Sequence, residues 1–577
     1  MPVNAAAAHS DLPHANRIIR AKLVTVTIAR INPALAQGLR PLFLAAFFAA
    51  VGCAPERPRV PVPEPLPETL DTAVRAGLRA PSVTCGGSQL EGQQITAYYP
   101  ASGTPPLWIT QGAPGLSARQ LRDALRLVGR DGLVPASYGL DDIDRYWQAR
   151  SPAELACLDL LLTDAYRRYS VDVHSGRADP QDADPTWTLR ADAFDPLGAL
   201  QTATRDGTLA ALLSTLPPPH TGYRRLRVAL QQYQTLAQQG GWTSIPPGPK
   251  LEPQTRHEQI ALLRARLRAE GEHDVGGDDD LYDAELAEAV KRFQYRHGLT
   301  TDGVVGERTR SMLNIRLEEK IAKIRRTLER WRWLPRTFGE QYILVNTAGF
   351  ELEVIEQERR VLSMRVIVGT PDQATPSFTA VLQSLVINPY WNVPPRIARD
   401  TLLAKQQADP NYFRARAFRL FRNGGKNARE IDPASIDWGS MRAEDFTYRL
   451  RQDPGPRNSM GRLAFSLPNR FDIFLHGTPE SGLFARDART YSEGCVRIQH
   501  PLPLALYTLR HADDWSEERI QRAIDARHHK TLHLPQPMPV YVLYLPNWVD
   551  DAGRVHFRDD VYQRDSVLTR YYPAAVE

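Results

Sequence analysis

The chain has 577 residues, too many for one hydrophobic core, so several domains are expected. It is 42% hydrophobic and 24% charged with a formal net charge of +5, and it carries no long Lys/Arg run interleaved with aromatics, which argues against nucleic acid as a ligand. Four cysteines (Cys53, Cys85, Cys157 and Cys495) are too few for a disulfide framework, and no CxxC or HExxH spacing suggests a metal or other cofactor.

Residues 1–52 read as an export signal. Arg17, Arg20, Lys22, Arg30 and Arg40 precede the apolar run 42–51, which is shorter than the ~20 residues that span a bilayer. The run ends in Ala50-Val51-Gly52-Cys53, which resembles a bacterial lipoprotein processing box with Ala50 where leucine is usual. The Pro-rich stretch 53–80 would serve as an extended tether. It favours a lipid on Cys53 over a plain signal peptide or a short membrane anchor. A periplasmic, membrane-tethered protein is expected, and Ala54 after the cysteine points to the outer membrane.

Residues 81–254 read as a helical domain. Leu121, Leu125 and Val128 follow a candidate cap at Ser117; Leu155, Leu158, Leu162 and Tyr166 form a second stripe; Leu226, Leu230 and Tyr233 form a third. Cys157 fits the second stripe as an apolar filler and Cys85 lies in a Gly-Gly loop, with a bridge between them the less favoured reading. Residues 239–254 look like a linker. In 255–315, Ile260, Leu263 and Leu267 mark one helix, and Leu286, Val290 and Phe293 a second beyond an acidic loop. Phe293, Leu299, Val304 and Leu313 can form a miniature core around the turns at Asp302-Gly303 and Gly306. With Gln294, Gly298 and Thr309, these positions closely resemble the small three-helix peptidoglycan-binding domain of bacterial wall enzymes. Residues 316–340 read as a charged connecting helix.

At about residue 341 the period changes from helical to two. Strands are expected at 342–345, 350–355, 364–369, 462–465, 471–475 and 539–545, so 341–550 is a β-rich domain. Residues 396–455 break the pattern with helical and irregular sequence and read as a lid inserted over the β core, and 551–577 as a polar tail. The fold class is multidomain α+β. Cys495 is the only cysteine in a polar, Gly-flanked loop, and a nucleophilic thiol needs a base nearby. His476, nineteen residues upstream at a strand end, is favoured by spacing over His500 and His511, with a purely structural histidine still open.

The string His476-Gly477-Thr478, a spacer, then Ser492-Glu493-Gly494-Cys495-Val496-Arg497 is similar to the catalytic (YkuD) domain of the L,D-transpeptidases. With residues 388–394, 461–469, 483–484 and 548–550, the chain resembles the large Gram-negative branch of that family, which adds a helical scaffold and a peptidoglycan-binding domain. The resemblance implies Cys495 as nucleophile, His476 as general base, the Gly477 carbonyl as the group orienting that imidazole, and backbone N–H groups at Gly494 and Cys495 as an oxyanion hole. It makes Arg497, Ser492, Trp391, Tyr390 and Tyr507 candidate substrate contacts, with a structural brace equally open for Arg497 and core packing equally open for Trp391. Glu493 departs from the histidine of many smaller relatives. The implied reaction joins peptidoglycan tetrapeptide stems by 3→3 crosslinks through a thioester, without cofactor. Carbapenem acylation of Cys495 and other wall-synthesis enzymes as partners belong to the same expectation. A hydrolase using the same residues and a wall-binding protein without chemistry are the alternatives.

Overall fold

The computed structural model describes residues 69–99, 106–277, 280–422 and 428–574. The leader and the expected lipid attachment at Cys53 lie outside these residues.

The end of the expected tether is a helix. Thr69 and Thr72 form a reciprocal cap on α1 (Leu70–Arg79), whose buried Val74 belongs to the scaffold core. That core is built from α2 (Leu116–Arg126) and α3 (Pro152–Ser175), while Tyr223, Leu226 and Leu230 of α4 (Thr221–Gln238) belong to a second core with Leu328 and Trp333. Gly115 caps α2, so Ser117 stands inside its first turn and not at the cap. Cys85 and Cys157 form a disulfide with Cα atoms 5.5 Å apart, which corrects the reading of both as unpaired. The hairpin of Val83–Cys85 with Ser88–Leu90 lays Cys85 against α3, a placement helical periodicity does not encode.

In the next unit α5 (Gln259–Ala269), α6 (Ala284–Arg296) and α7 (Glu307–Leu313) enclose Leu263, Phe293 and Leu313. Val305, not Val304, completes that core, and buried Gln294 ties the turn together by donating to Asp302 and accepting from the Gly303 N–H. Residues 239–254 are no free linker, because Ile245 and Leu251 sink into the same core.

The charged helix α8 (Leu317–Arg332) is buried rather than solvated. Lys320 pairs with Glu270, Arg332 with Glu329, and Arg330 with Asp565. Asp565 belongs to the expected tail, as does Tyr572, whose hydroxyl donates to Glu329 at 2.7 Å. Residues 551–574 are therefore packed structure, since they neutralise charges that α8 carries inside.

The β-rich part starts with β1 (Gln341–Asn346), β2 (Glu351–Glu356), β3 (Arg359–Gly369) and β4 (Phe378–Ile387). The segment 396–455, expected to be helical and irregular, contains the strands β6 (Phe418–Arg422), β7 (Arg429–Ile431) and β8 (Arg449–Gln452), which with β5 (Trp391–Asn392) just before it form a sheet of order β7-β6-β8-β5. Phe413, Phe418, Leu420, Trp438 and Leu450 give that segment its own core. Then follow β9 (Leu463–Ser466), β10 (Leu475–His476), β11 (Thr490–Ser492), β12 (Val496–Ile498), α9 (Pro501–Thr508) and β13 (Lys530–Leu543). The nine-stranded sheet runs β11-β3-β12-β10-β9-β4-β13-β1-β2, and β2 also pairs with β3, which closes it. Alternation along β4, with Phe378, Ala380 and Leu382 buried and the residues between them exposed, points one face into the core. After it, β14 (Asn547–Val549) and β15 (Val555–Phe557) form a hairpin.

Candidate active site

Two short strands bring the candidate nucleophile and base together. β10 and β12 pair in parallel, Leu475 beside Val496 and His476 beside Arg497, and Val496 N–H donates to the Phe474 carbonyl at 3.0 Å. Cys495 thus lies one residue before β12 while His476 ends β10. The expected strand 471–475 is mostly loop: only Leu475 and His476 pair, and Asp472 sits at φ +54°. That turn aims the Asp472 carbonyl at Cys495, whose Sγ approaches it at 3.8 Å. His500 and His511 are exposed.

His476 is buried, with Nδ1 2.6 Å from the Gly477 carbonyl. A carbonyl only accepts, so Nδ1 carries the proton and Nε2 keeps its lone pair. Burial, then the Arg497 charge, pushes this imidazole down to about 4, with the Gly477 and Met460 carbonyls opposing. Gly461 makes the geometry reachable: at φ +68° it lies so close that a Cβ would stand 2.5 Å from the Gly477 carbonyl carbon. Cys495 is half-buried. Burial raises its thiol pKa, and the Phe474 amide and the Arg497 guanidinium offset this only in part. At neutral pH the resting pair is therefore thiol and neutral imidazole.

Gly494 adopts φ +108°, open in practice to glycine alone. Its N–H donates to Ser492 Oγ at 3.2 Å, so at rest it is not a free oxyanion donor; the Cys495 N–H makes no hydrogen bond among the described residues. Ser492 is buried and its Oγ donates to the Cys495 carbonyl at 2.5 Å, which makes it a brace of the loop and not a substrate contact. Arg497 holds exposed Glu480 at 2.6 Å. Tyr390 lies under the Arg451 guanidinium at 4.4 Å, and Trp391 packs in the inserted segment 5.9 Å from Phe418. Tyr507 donates to Glu356 at 3.1 Å beneath Arg510, while Tyr390 remains exposed.

Three further residues shape the site. Thr375 Oγ1 donates to the Gly494 carbonyl at 2.8 Å and accepts from the Gly369 N–H, fixing the loop from behind. Arg396, from the inserted segment, pairs with Glu493 at 2.9 Å. Asn388, at φ +52°, donates to the carbonyls of Ala523, Ile524 and His528 and pins the chain at the end of β4, ahead of that segment. Of these, Asn388 stood in the family-like stretch 388–394 and Arg396 opens the segment read as a lid, whereas Thr375 stood in no stretch that the sequence pattern singled out.

The sheet holds a thiol and an imidazole at the ends of two neighbouring strands, and sequence comparison shows which families its domains match. Residues 340–513 match the L,D-transpeptidase catalytic domain (YkuD), 93–230 the scaffold domain, and 256–313 the "Putative peptidoglycan binding domain". The chain carries an L,D-transpeptidase catalytic domain alongside a scaffold and a peptidoglycan-binding domain. Over 223 residues it is 35% identical to a Haemophilus influenzae protein named "Putative L,D-transpeptidase", covering 39% of this chain and 44% of that relative. It thus spans less than half the relative's length. The L,D-transpeptidase structure from Xylanimonas cellulosilytica aligns at 15% identity and TM-score 0.16, over 52% of this chain and 100% of that one. That from Stackebrandtia nassauensis aligns at 14% identity and TM-score 0.19, over 51% and 97%. At such scores neither structural likeness carries an argument.

Proposed function

We propose that this protein is a peptidoglycan L,D-transpeptidase that forms 3→3 crosslinks through a thioester on Cys495. His476 Nε2 takes the thiol proton as Sγ attacks the carbonyl joining an L-centred diamino acid to D-Ala. The oxyanion is received by the Cys495 N–H, joined by that of Gly494 once it leaves Ser492 Oγ. The tetrahedral intermediate collapses with cleavage of the C–N bond, the imidazolium protonates the departing amine, and D-Ala leaves. A stem amine then attacks the thioester, passes its proton to His476, and Cys495 is released as thiol. The bond energy is held in the thioester, so no nucleotide is consumed. The observation that carries this reading is the pairing of β10 with β12, with Nδ1 of His476 committed to Gly477 and Nε2 left as the base. Carbapenems are expected to acylate the same sulfur.

The same chemistry with water as acceptor gives an L,D-carboxypeptidase. The Arg396–Glu493 pair favours control of that choice by segment 396–455, because it ties the segment to the loop two residues before the nucleophile. The Cys85–Cys157 disulfide and the leader support a location outside the cytoplasm, and Cys53 is proposed as a lipid anchor in the outer membrane. Incubation of the purified protein and Cys495→Ala with disaccharide-tetrapeptides, followed by mass spectrometry, tests the proposal. Crosslinked dimers that vanish with the substitution are expected. Tripeptide alone would make the protein a carboxypeptidase, and no turnover would leave it a wall-binding protein.

A further inference from the structure

The turn before β10 is held more firmly than a connecting loop requires. Asn469 Nδ2 donates to the Leu467 and Ile473 carbonyls at 2.7 and 2.8 Å. Its Oδ1 accepts from the Phe471 and Ile473 N–H groups at 3.0 and 3.2 Å. One side chain thus clamps residues 467–473 and holds Asp472 at φ +54°, a left-handed conformation uncommon outside glycine. Backbone kept in sparsely populated regions concentrates at functional sites, where surrounding contacts over-determine it. Both acceptors of Asp472 reach the nucleophile: its carbonyl lies 3.8 Å from Cys495 Sγ, and its carboxylate charge adds to the burial that raises the thiol pKa.

A negative charge beside Cys495 works against thiolate formation, so its place there does not serve the first half of the reaction. The second half differs in two ways. Once Sγ is acylated it has no proton to donate, and the Asp472 carbonyl becomes an open acceptor within reach of the sulfur. The incoming nucleophile is also a primary amine, which is cationic at neutral pH with an ordinary pKa of about 10. Two other carboxylates beside the site are already taken, Glu480 by Arg497 at 2.6 Å and Glu493 by Arg396 at 2.9 Å. The Asp472 carboxylate is exposed and meets no donor or cation among the described residues, and neighbouring Arg470 lies over the Phe471 ring at 4.8 Å.

We propose that Asp472 receives the acceptor: its carboxylate holds the ammonium of the incoming stem and its carbonyl accepts an N–H, placing that amine at the thioester in preference to water. This rests on the proposed thioester route and gives its second step a specificity-determining residue. The test incubates the full chain, Asp472→Asn and Asp472→Gly with a disaccharide-tetrapeptide and follows thioester, dimer and tripeptide by mass spectrometry. Asn and Gly both tolerate left-handed backbone, so the carbonyl stays in place while the charge is lost. The thioester should still form in both variants. The ratio of crosslinked dimer to tripeptide should fall about tenfold, the loss of one hydrogen bond to a charged acceptor, and half-maximal dimer formation should need more acceptor stem. Cys495 alkylation by iodoacetamide should shift to lower pH, which a residue that only braces the turn would not cause. If Asp472→Asn fails to fold, Asp472→Gly decides. An unchanged dimer-to-tripeptide ratio overturns the proposal, and an unmoved alkylation profile does so by putting the carboxylate out of reach of the sulfur. Loss of the thioester in folded variants also overturns it, by assigning Asp472 to the nucleophile. Absence of a thioester on the unaltered chain would instead refute the transpeptidase reading, and this proposal with it.

Discussion

The chemistry of Cys495 depends on both members of the pair being neutral at rest. Burial holds the thiol above its ordinary range and the His476 imidazole near 4. A preformed thiolate–imidazolium pair would alkylate at a constant rate across neutral pH. Here the rate of Cys495 alkylation by iodoacetamide is expected to rise steadily from pH 6 to 9, and a plateau in that range would contradict the assignment. The Cys495, His476 and Gly477 constellation was legible in the sequence because it lies within one short string whose spacing the strand pairing preserves. The partners of that string were not. Arg396 and Thr375 reach it across separations of 97 and 119 residues, which only tertiary pairing creates. Asp472 enters through its backbone conformation, which its residue type does not announce.

At the scale of elements, the inserted segment and the scaffold bridge each make a separate prediction. Arg396 and Glu493 are both well exposed, so their pair contributes about 0–1 kcal/mol to stability. Its effect is expected in acceptor choice: Glu493→Gln and Arg396→Gln should each raise the ratio of tripeptide to crosslinked dimer severalfold without moving the melting temperature. The double variant should match the singles, since both break one contact. An unchanged ratio would remove the segment from control of the acceptor. The Cys85–Cys157 bridge closes a loop of 72 residues, for which the chain-entropy model gives about 4 kcal/mol. Cys85→Ser should lower the melting temperature clearly while leaving Cys495 alkylation unchanged. Helices in the scaffold were readable from apolar stripes, but Cys157 on such a stripe looked like any small apolar residue. The strands β6 to β8 were obscured for a different reason, because at 5, 3 and 4 residues they are too short for a two-residue period to stand out.

At the scale of the whole molecule, four buried histidines and the half-buried His220 make the fold acid-sensitive. Burial depresses His174, His220, His476 and His556 to about 4 and His297 to about 3, against 6.5 for an ordinary imidazole. Below pH 6.5 the unfolded chain takes up protons that the folded one refuses, so stability is fully present above 6.5 and is lost as pH falls towards 4. Denaturant midpoints measured across this window should drop, and midpoints constant from pH 7 to 4.5 would contradict the buried neutral state. The order of domains was readable from changes in hydrophobic period. The interior of α8 was not, because Lys320, Arg330 and Arg332 look like a solvated face until Glu270, Asp565 and Glu329 from distant or neighbouring turns are packed against them.

The central claim is that the acyl group passes through the sulfur of Cys495. Intact-protein mass spectrometry after rapid acid quench of the full chain with a disaccharide-tetrapeptide tests it most directly. The account predicts a thioester adduct of the substrate less one D-alanine, mapped by peptide digestion to Cys495 and absent from Cys495→Ala. Turnover by Cys495→Ala, or an adduct mapped to any other residue, would contradict it.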